Sequence, residues 1–235
     1  MGGTLSPEYS NSYATFTGGG GIDTFKVTGT DTITDLGNGG ADIVQVTAGG
    51  TVNATVTQSW TATTATSNNG TASINANGYN VSLALARGTN GWTITNNSAT
   101  GVTLIGSSHN DIIIGGSGND TLKGGGGGDR FVFNTTPNNS TNHDTILDFV
   151  HGADILQLSK SVFNTISNWN SNAFWSGAGV TAAHDSSDRI VYNTTTGNLY
   201  YDADGIGGIS APVLVATIGI STHPAVTYGD IQLVA

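Results

Sequence analysis

The sequence predicts an all-β fold in which turns of a parallel β-roll, a form of solenoid, are flanked by further β-sheet and hairpin segments. Three consecutive nine-residue units occupy residues 106–132 and read GSSHNDIII, GGSGNDTLK and GGGGGDRFV. Thr, Asn, Ser, Gly and Val dominate, and 15 of the 16 acidic residues are Asp, which favours strands and turns over helices. Alternating polar and apolar residues elsewhere predict the remaining strands.

Each nine-residue unit has an Asp at its sixth position, namely Asp111, Asp120 and Asp129. The eighth position is always large and apolar, and the short strand around it should turn that side chain inward. Glycine tolerates positive φ, so the first half of each unit can form a sharp loop with its carbonyls turned inward. Calcium prefers about 6–8 oxygen ligands, including carbonyls and carboxylates. The pattern G-G-x-G-x-D-x-U-x therefore predicts a calcium-binding parallel β-helix repeat rather than a flexible glycine-rich linker, which needs no such period.

These units resemble the RTX, or haemolysin-type, repeats of secreted bacterial proteins. In that family two units make one turn, so the resemblance implies that the loops 106–111 and 124–129 stack and hold calcium between them. The loop 115–120 would lie on the opposite edge and find its partner in Asp144 or Asp148. The first unit departs from the motif, because Ser107 and His109 stand where glycine is usual. The calcium ligands implied are Gly106, Ser108, Asn110, Asp111, Gly115, Ser117, Asn119, Asp120, Gly124, Gly126, Gly128, Asp129, Asp144 and Asp148.

A larger repeat links residues 18–46 with residues 124–158. Both contain a nonapeptide, an Asp-Thr-Ile-x-Asp segment and an Ala-Asp-Ile sequence. The earlier copy is a degenerate roll that lacks a clean tandem partner. Its matching acids are Asp23, Asp31, Asp35 and Asp42, opposite Asp129, Asp144, Asp148 and Asp154, and its weaker candidate ligands are Gly18, Gly20, Asp23, Asp31 and Asp42.

The remaining chain is expected to complete the roll, because one or two turns cannot bury a core alone. Residues 47–104 predict either a small sheet or a solenoid that continues without calcium, and their Asn-Gly pairs predict hairpin turns. Their Thr and Asn side chains could serve ice or carbohydrate binding, although an exposed polar strand face is the simpler interpretation. The predicted division is residues 1–46 (degenerate module), 47–104 (spacer), 105–158 (roll) and 159–235 (cap and secretion signal).

The C-terminal region carries a second resemblance to RTX proteins. Residues 188–192 and 196–205 are similar to the segment that follows the repeats, and the turn at 194–197 predicts a hairpin. Residues 228–235 are similar to the apolar terminus of that family. Asp202 and Asp204 resemble the start of an EF-hand loop, but the Glu that closes such a loop is missing, so we interpret them as an acidic turn.

Charge and composition exclude several classes of function. The net charge of −10 argues against nucleic-acid binding and against acidic membrane surfaces. The chain has no Cys, hence no disulfides, and no segment approaches the length of a membrane span. Residues 1–13 do not resemble a secretory signal peptide, which fits the type I secretion machinery that RTX proteins use. We therefore expect an extracellular or cell-surface location.

The sequence gives no catalytic constellation. Glu8 is the only Glu, which rules out a zincin motif, and the five His show no metal-ligand spacing on one element. The favoured function is a calcium-dependent structural and secretion module, for example in a surface-layer protein or an adhesin capable of self-assembly. The alternatives are the accessory domain of a secreted protease, lipase or epimerase, and a module that binds surface glycans. In the last case Trp60, Trp92, Trp169 and Trp175 would be the sugar platforms.

Overall fold

The computed structural model describes residues 2–5 and 13–235, so Glu8 lies outside the described part of the chain. Within that part the fold is all-β, as predicted, with 23 strands and three short 3-10 helices. The helices span Ser171–Ala173, Gly205–Gly207 and Tyr228–Asp230. Strands are numbered in chain order below.

The strands form three sheets. The shared sheet runs from one end of the fold to the other in the order β2 (Thr15–Phe16), β4 (Thr30–Leu36), β6 (Thr51–Val56), β9 (Thr71–Asn75), β12 (Thr93–Thr95), β14 (Ile112–Ile114), β16 (Arg130–Phe133), β18 (Ile155–Ser159) and β23 (Ile231–Val234). The N-terminal sheet contains β1 (Thr4–Leu5), β3 (Thr24–Val27), β5 (Ile43–Val46), β8 (Ser67–Asn68) and β11 (Arg87–Gly88). The C-terminal sheet contains, in spatial order, β19 (Phe174–Gly177), β20 (Ile190–Asn193), β21 (Asn198–Tyr201), β22 (Val213–Ile218), β17 (Asp144–Ile146), β15 (Thr121–Lys123), β13 (Thr103–Ile105), β10 (Val81–Ser82) and β7 (Trp60–Thr61).

The solenoid changes its cross-section along its length. At both ends the chain alternates between two sheets, whereas between β6 and β12 each turn visits the shared, C-terminal and N-terminal sheets in succession. We call residues 51–95 the three-sheet section. A turn there takes 20 residues, since Thr51 pairs with Thr71, but a turn takes 18 in the nonapeptide region, since Ile112 pairs with Arg130. Residues 47–104 therefore continue the solenoid, which was one of the two predicted arrangements.

The Asn-Gly pairs of this section form corners of the solenoid, so the predicted hairpins there are wrong. Asn77 and Gly78 both have positive φ, 50° and 85°, as a tight turn requires. The flanking strands β9 and β10 belong to different sheets, however, and each pairs in parallel with the turns above and below. The Asn-Gly pairs do mark turns, as predicted, but the strands on either side of each turn do not pair with each other. The hairpin predicted at 194–197 is confirmed by the antiparallel pairing of β20 with β21.

One apolar core runs through the solenoid, because alternate residues of each strand turn inward. In β6 Val52, Ala54 and Val56 are buried while their neighbours are at least partly exposed. Ile113, Leu122 and Phe131, the eighth residues of the three nonapeptides, are fully buried as predicted. The three-sheet section encloses a wider interior, and Trp60 and Trp92 lie at its two ends with 1% and 2% of their surface exposed.

The segment after residue 159 adds strands to the same sheets. β22 pairs in parallel with β17, and β23 pairs in parallel with β18. The hairpin of β20 and β21 lies beyond β22 and extends the C-terminal sheet. These pairings bring the end of the chain against the last turn of the nonapeptide region.

Leu104 tests the continuity of the core, because it is fully buried in β13 between the spacer and the nonapeptides. We expect Leu104→Ala to lower the free energy of unfolding by about 2–5 kcal/mol, since it removes buried methyl groups and leaves a cavity. The matched control is Leu85→Ala, whose side chain is 53% exposed and should change stability by less than about 0.5 kcal/mol. Thermal melts of both variants in calcium measure the difference; equal losses would contradict the assigned core.

Candidate metal centre

The Asp residues of the nonapeptides connect successive turns. On the edge whose loops lead into the shared sheet, the N–H of Trp92 donates to Oδ1 of Asp111 at 2.6 Å. The N–H of Asp111 donates to Oδ1 of Asp129 at 2.8 Å, and that of Asp129 to Oδ1 of Asp154 at 2.8 Å. We call this run the first edge. Each carboxylate thus fixes the register of the preceding turn by accepting a backbone donor that would otherwise lack a partner.

The loops leading into the C-terminal sheet form the second edge, on the other side of the roll. There the N–H of Val102 donates to Oδ1 of Asp120 at 2.8 Å, and the N–H of Asp120 donates to Oδ1 of Asp144 at 3.0 Å. The predicted loop 115–120 lies on this edge. Of the two predicted partners, Asp144 and Asp148, Asp144 is the one that contacts this loop.

Asp148 lies on the first edge instead. Its Oδ1 accepts the N–H of Gly124 at 2.8 Å and its Oδ2 accepts the N–H of Gly125 at 2.9 Å. Both oxygens therefore bind the start of the third nonapeptide. The alternative that paired Asp148 with the loop 115–120 is wrong, because the chain crosses the roll between Asp144 and Asp148.

The first glycine of each unit is required by its own Asp. A Cβ on Gly106 would lie 2.5 Å from Oδ2 of Asp111, and one on Gly115 would lie 2.7 Å from Oδ2 of Asp120. Gly124 is in the same relation to Asp129. The carboxylate folds back over the loop and occupies the space that any side chain would need.

The second and fourth glycines are required by backbone conformation. Gly116 and Gly118 have φ of 78° and 118°, and Gly125 and Gly127 have φ of 99° and 111°. The first unit has Ser107 and His109 at these two positions, and among the described residues Asn77 is the only non-glycine with positive φ. The loop 106–111 therefore has a different backbone path.

Ser107 alters the surroundings of Asp111 in that loop. Its N–H donates to Oδ2 of Asp111 at 2.5 Å, and its hydroxyl lies 3.2 and 3.0 Å from the two carboxylate oxygens. The loop still stacks on the third unit, since the N–H of Gly126 donates to the Ser107 carbonyl at 3.1 Å. The structure therefore brings the two loops together as predicted, but the Asp111 carboxylate is already well supplied with donors.

Asp120, unlike Asp111, has a carboxylate oxygen without a hydrogen-bond donor among the described residues. Asp120 is 2% exposed, and the oxygen in question is Oδ2. A Cβ on Gly115 would contact both this oxygen and Oδ2 of Asp144, at 2.7 and 3.0 Å, so the two carboxylates converge on one point. Buried, converging and partly unpaired carboxylates are a donor set that suits a hard cation such as calcium.

The remaining predicted ligands have mixed surroundings. The side-chain oxygen of Asn110 accepts the N–H of Gly128 at 2.8 Å. The Asn119 side chain bridges to the insert after β16, donating to the Ser140 carbonyl at 3.0 Å and accepting the His143 N–H at 3.1 Å. Ser108 contacts only the neighbouring His109 ring through its side chain, at 3.4 Å within the described chain. These side chains support the loops, which leaves their backbone carbonyls as the candidate ligand atoms.

Residues 18–46 repeat the geometry of residues 124–158. Asp35 accepts the N–H groups of Gly18 and Gly19 at 2.9 and 2.7 Å, as Asp148 does at Gly124 and Gly125. Asp42 accepts the N–H of Asp23 at 2.9 Å, as Asp154 does from Asp129. The remaining equivalents are the contacts from Gly3 to Asp23 and from Ala14 to Asp31, at 2.7 and 3.0 Å. Five matched contacts, made by four equivalent acids, show that the module is duplicated in structure.

The early copy also has unpaired carboxylate oxygens. Oδ2 of Asp23 and Oδ2 of Asp31 are buried without a donor among residues 2–5 and 13–235. A Cβ on Gly18 would lie 2.5 Å from Oδ2 of Asp23, which repeats the relation at Gly106 and Gly115. This copy therefore offers cations the same type of donor set, with Gly20 in the same loop.

A sequence model of the Peptidase M10 serralysin C-terminal family matches residues 95–219, which is just over half of the chain. The chain belongs to this family. The matched serralysin domain is the non-catalytic C-terminal repeat region, a calcium-binding β-roll of secreted proteins, and it confirms the RTX resemblance. No curated protein matches the chain. Over the described residues, no helix is long and apolar enough to cross a membrane.

In this serralysin-type roll, burial raises the pKa of several carboxyl groups. It raises the pKa of Asp120 to about 6, partly offset by the Val102 N–H and the nearby Asn96 side chain. Burial raises the pKa of Asp129 to about 7, to which the charges of Asp111, Asp154 and Asp148 add. For Asp144, burial and the neighbouring Asp120 raise the pKa to about 8. Burial also raises the pKa values of Asp42, Asp111 and Asp154.

The tryptophans do not form a set of sugar platforms. Trp60 and Trp92 are core residues, and Nε1 of Trp60 donates to the Asp42 carbonyl at 3.0 Å. Trp169 packs against the core, and Trp175 stacks on His184. A platform needs an exposed ring face, so the glycan hypothesis loses its two buried candidates.

Gly115→Ala tests the fit between the first glycine and its carboxylates. We expect a loss of about 1–3 kcal/mol in the free energy of unfolding, because the methyl group would overlap Oδ2 of Asp120. Gly126→Ala is the matched control: it occupies the variable third position of the next unit, and its Cβ would meet Ser108 no closer than 3.6 Å. Chemical denaturation of both variants measures the free energy of unfolding. An equal loss in Gly126→Ala would contradict this geometry.

The raised pKa values predict how metal-free stability depends on pH. A carboxyl group whose pKa is higher in the folded state stabilises the fold fully below the unfolded pKa near 3.8, and this stability is lost as pH rises through about 6, 7 and 8. The melting temperature in chelator should therefore fall by at least about 5 °C between pH 5 and pH 8. Calcium should reverse this slope, because it favours the ionised carboxylates. A metal-free melting temperature that rises over this range would be inconsistent with the assignment.

Proposed function

We propose that this chain is a calcium-dependent structural module of a secreted or cell-surface protein, which folds when it meets calcium outside the cell. Membership of the serralysin C-terminal family supports the calcium-binding β-roll. The observation that carries the proposal furthest is the convergence of Asp120 and Asp144 beside Gly115, with a buried Asp120 oxygen that has no donor within the described chain.

The ligand set divides between the two edges. On the second edge calcium would bind the carboxylates of Asp120 and Asp144 and carbonyls of the loop 115–120, with Gly115, Ser117 and Asn119 as the candidates. On the first edge the candidate carboxylates are Asp111, Asp129 and Asp148. Carbonyls would come from Gly106, Ser108, Asn110, Gly124, Gly126 and Gly128. The second edge is the stronger site, because Ser107 already satisfies the carboxylate of Asp111.

Residues 18–46 would offer calcium one carboxylate on each edge, because Asp23 matches Asp129 and Asp31 matches Asp144. Asp23 and Asp31 supply unpaired carboxylate oxygens, and Gly18 and Gly20 lie in the loop beside Asp23. Asp42 has both oxygens occupied by the N–H groups of Asp23 and Gly37, so its role is to hold the loop rather than to lead coordination.

Calcium binding would drive folding through charge. Without a cation, burial disfavours the ionised forms of Asp129 and Asp144 and raises their pKa values to about 7 and about 8, and the neighbouring carboxylates add to this. A cation that binds only the folded state stabilises it by mass action. Low calcium inside the cell would keep the chain extended for the type I secretion machinery, and high calcium outside would fold it.

The C-terminal strand fits this sequence of events. β23 is the last strand of the shared sheet, and Leu233 pairs with Leu158 of β18. A secretion signal in residues 228–235 would be held in strand pairing with β18 once the sheet forms. The signal would therefore be readable only before calcium-dependent folding.

A second candidate is an accessory role beside a catalytic domain of a secreted enzyme. The family match favours it, because the matched domain is the C-terminal region of peptidases. In that role the roll would aid export and folding of its neighbour. Fusion to a secreted reporter, with export measured with and without residues 106–158, distinguishes a transferable accessory role from a purely structural one.

Calorimetric titration tests the calcium sites. We expect Asp120→Asn combined with Asp144→Asn to remove at least one calcium ion per chain and most of the thermal stabilisation by calcium. Asp230→Asn is the matched control, because Asp230 is as buried as Asp120 but both its oxygens accept donors, from Gly152 and Thr227. It should lower stability and leave the calcium stoichiometry unchanged. Identical stoichiometry in the double variant and the native protein would overturn the second-edge site.

A further inference from the structure

The loop between β19 and β20 carries three metal-ligating side chains outside the nonapeptides. The ligand atoms of His184, Asp185 and Asp188 all lie within 4.8 Å of one another, and no other such group of three occurs in the described residues. Nδ1 of His184 lies 3.0 Å from Oδ2 of Asp188 and 3.6 Å from Oδ2 of Asp185. The cluster is therefore already assembled at the distances that one cation could bridge.

The three side chains are held in place by their surroundings. Oδ2 of Asp188 accepts the N–H groups of His184 and Asp185 at 2.8 and 3.1 Å. Oδ1 of Asp185 accepts the Ser187 hydroxyl at 2.6 Å, which leaves Oδ2 directed to the cluster. The indole of Trp175 stacks on the His184 ring with centroids 4.4 Å apart. Restricted rotamers lower the entropy cost of binding an ion.

A buried carboxylate beneath the loop supplies an independent reason for a cation. Asp202 is 2% exposed; its Oδ2 accepts the N–H of Ala183 at 3.1 Å and its own N–H donates to the Arg189 carbonyl at 2.8 Å. Asp202 thus contacts the residues immediately before and after the cluster. Its Oδ1 is buried and has no donor from any described residue. An ionised oxygen in that position is costly unless positive charge lies nearby.

The nearby arginine does not supply that charge by pairing. The guanidinium of Arg189 donates to the carbonyls of Ser186 and Asp188, at 3.0 and 2.7 Å. Among the ion pairs of the described residues, none joins Arg189 to an Asp. Asp204, next to Asp202, adds a second buried oxygen without a donor in the described chain. Asp202 and Asp204 therefore have no ion-pair partner among the described residues.

The ligand types select the kind of ion. Calcium binds oxygen, whereas an imidazole nitrogen with two carboxylates suits a borderline transition metal such as Zn²⁺. Metal–ligand distances of about 2.0–2.2 Å place the ligands of a tetrahedral site roughly 3.3–3.6 Å apart. The observed separations of 3.0 and 3.6 Å lie close to that range. We propose that His184, Asp185 and Asp188 form a three-ligand site for a divalent transition metal, separate from the calcium-binding edges and with a position open to water.

Titration of Zn²⁺ into the untagged chain, with calcium at saturation, tests the site. We expect one Zn²⁺ per chain in addition to calcium. His184→Gln and Asp185→Asn, whose side chains are 54% and 47% exposed and should fold normally, are expected to weaken binding by at least about tenfold. The matched control is His151→Gln: His151 lies 2.7 Å from Asp230 in another His–Asp pair, without a third ligand, and should change Zn²⁺ affinity by less than about twofold.

A spectroscopic readout separates this site from adventitious binding. Co²⁺ bound at His184 should quench the fluorescence of Trp175, and Trp175→Phe should remove that quenching while keeping the Zn²⁺ stoichiometry. Three results would overturn the proposal: no Zn²⁺ binding at calcium saturation, equal losses in His184→Gln and His151→Gln, or stoichiometric displacement of Zn²⁺ by calcium. None of these depends on whether the nonapeptides bind calcium.

Discussion

The fold depends on one recurring interaction, in which a side-chain oxygen at a corner accepts the backbone N–H of the turn before it. Strand pairing alone would allow neighbouring turns to slip by a residue pair, but a buried acceptor meets only one donor. The contacts that join Asp111 to Asp129 and Asp120 to Asp144 fix the turns on the two edges of the roll. The same contact joins Asp23 to Asp42 near the other end. Register, loop shape and metal chemistry all follow from where these acceptors lie.

A carboxylate and an amide meet this requirement with different consequences. Asn96 accepts the N–H of Gly78 at 3.0 Å and donates to the Thr100 carbonyl at 3.0 Å, so both ends of its side chain are satisfied. Asn68 also has both ends of its side chain occupied, but it accepts the N–H of Gly70 in its own corner and donates to the Gly91 carbonyl of the next turn. Asp120 accepts from Val102 but has no donor to offer, and its second oxygen lacks a partner in the described chain. An Asn corner is therefore satisfied by the chain itself, whereas an Asp corner can leave a buried oxygen without a donor among the described residues.

The sequence predicted the parts of the fold that follow from the spacing of residues within and between the repeats. The resemblance to RTX repeats, applied to the spacing of Asp111 and Asp129, predicted the stacking of their loops. The repeated Asp-Thr-Ile segment predicted a duplicated module, and its individual hydrogen bonds also match. The three-sheet section was not predictable, because the corner at Asn77 has the same local signal as a hairpin and only the parallel neighbours distinguish the two. The hydrogen bonds of Asp148 to the third nonapeptide and the position of Asp202 beside the loop that carries His184 were missed for a related reason. Those contacts depend on where the chain crosses the roll, and spacing along the sequence does not record that crossing.

The middle of the solenoid contains no Asp at all between Asp42 and Asp111, and within the three-sheet section Arg87 is the one charged side chain. Its corners are closed by neutral amides, and its interior is filled by Trp60 and Trp92. That section has no carboxylate and one charged side chain, so we expect it to assemble as a seed with little dependence on calcium. The acidic turns on either side would then add to its two open ends, one turn at a time, as cations arrive. Folding would spread outward from the centre, and the seed would fix the orientation of both ends before the first ion binds.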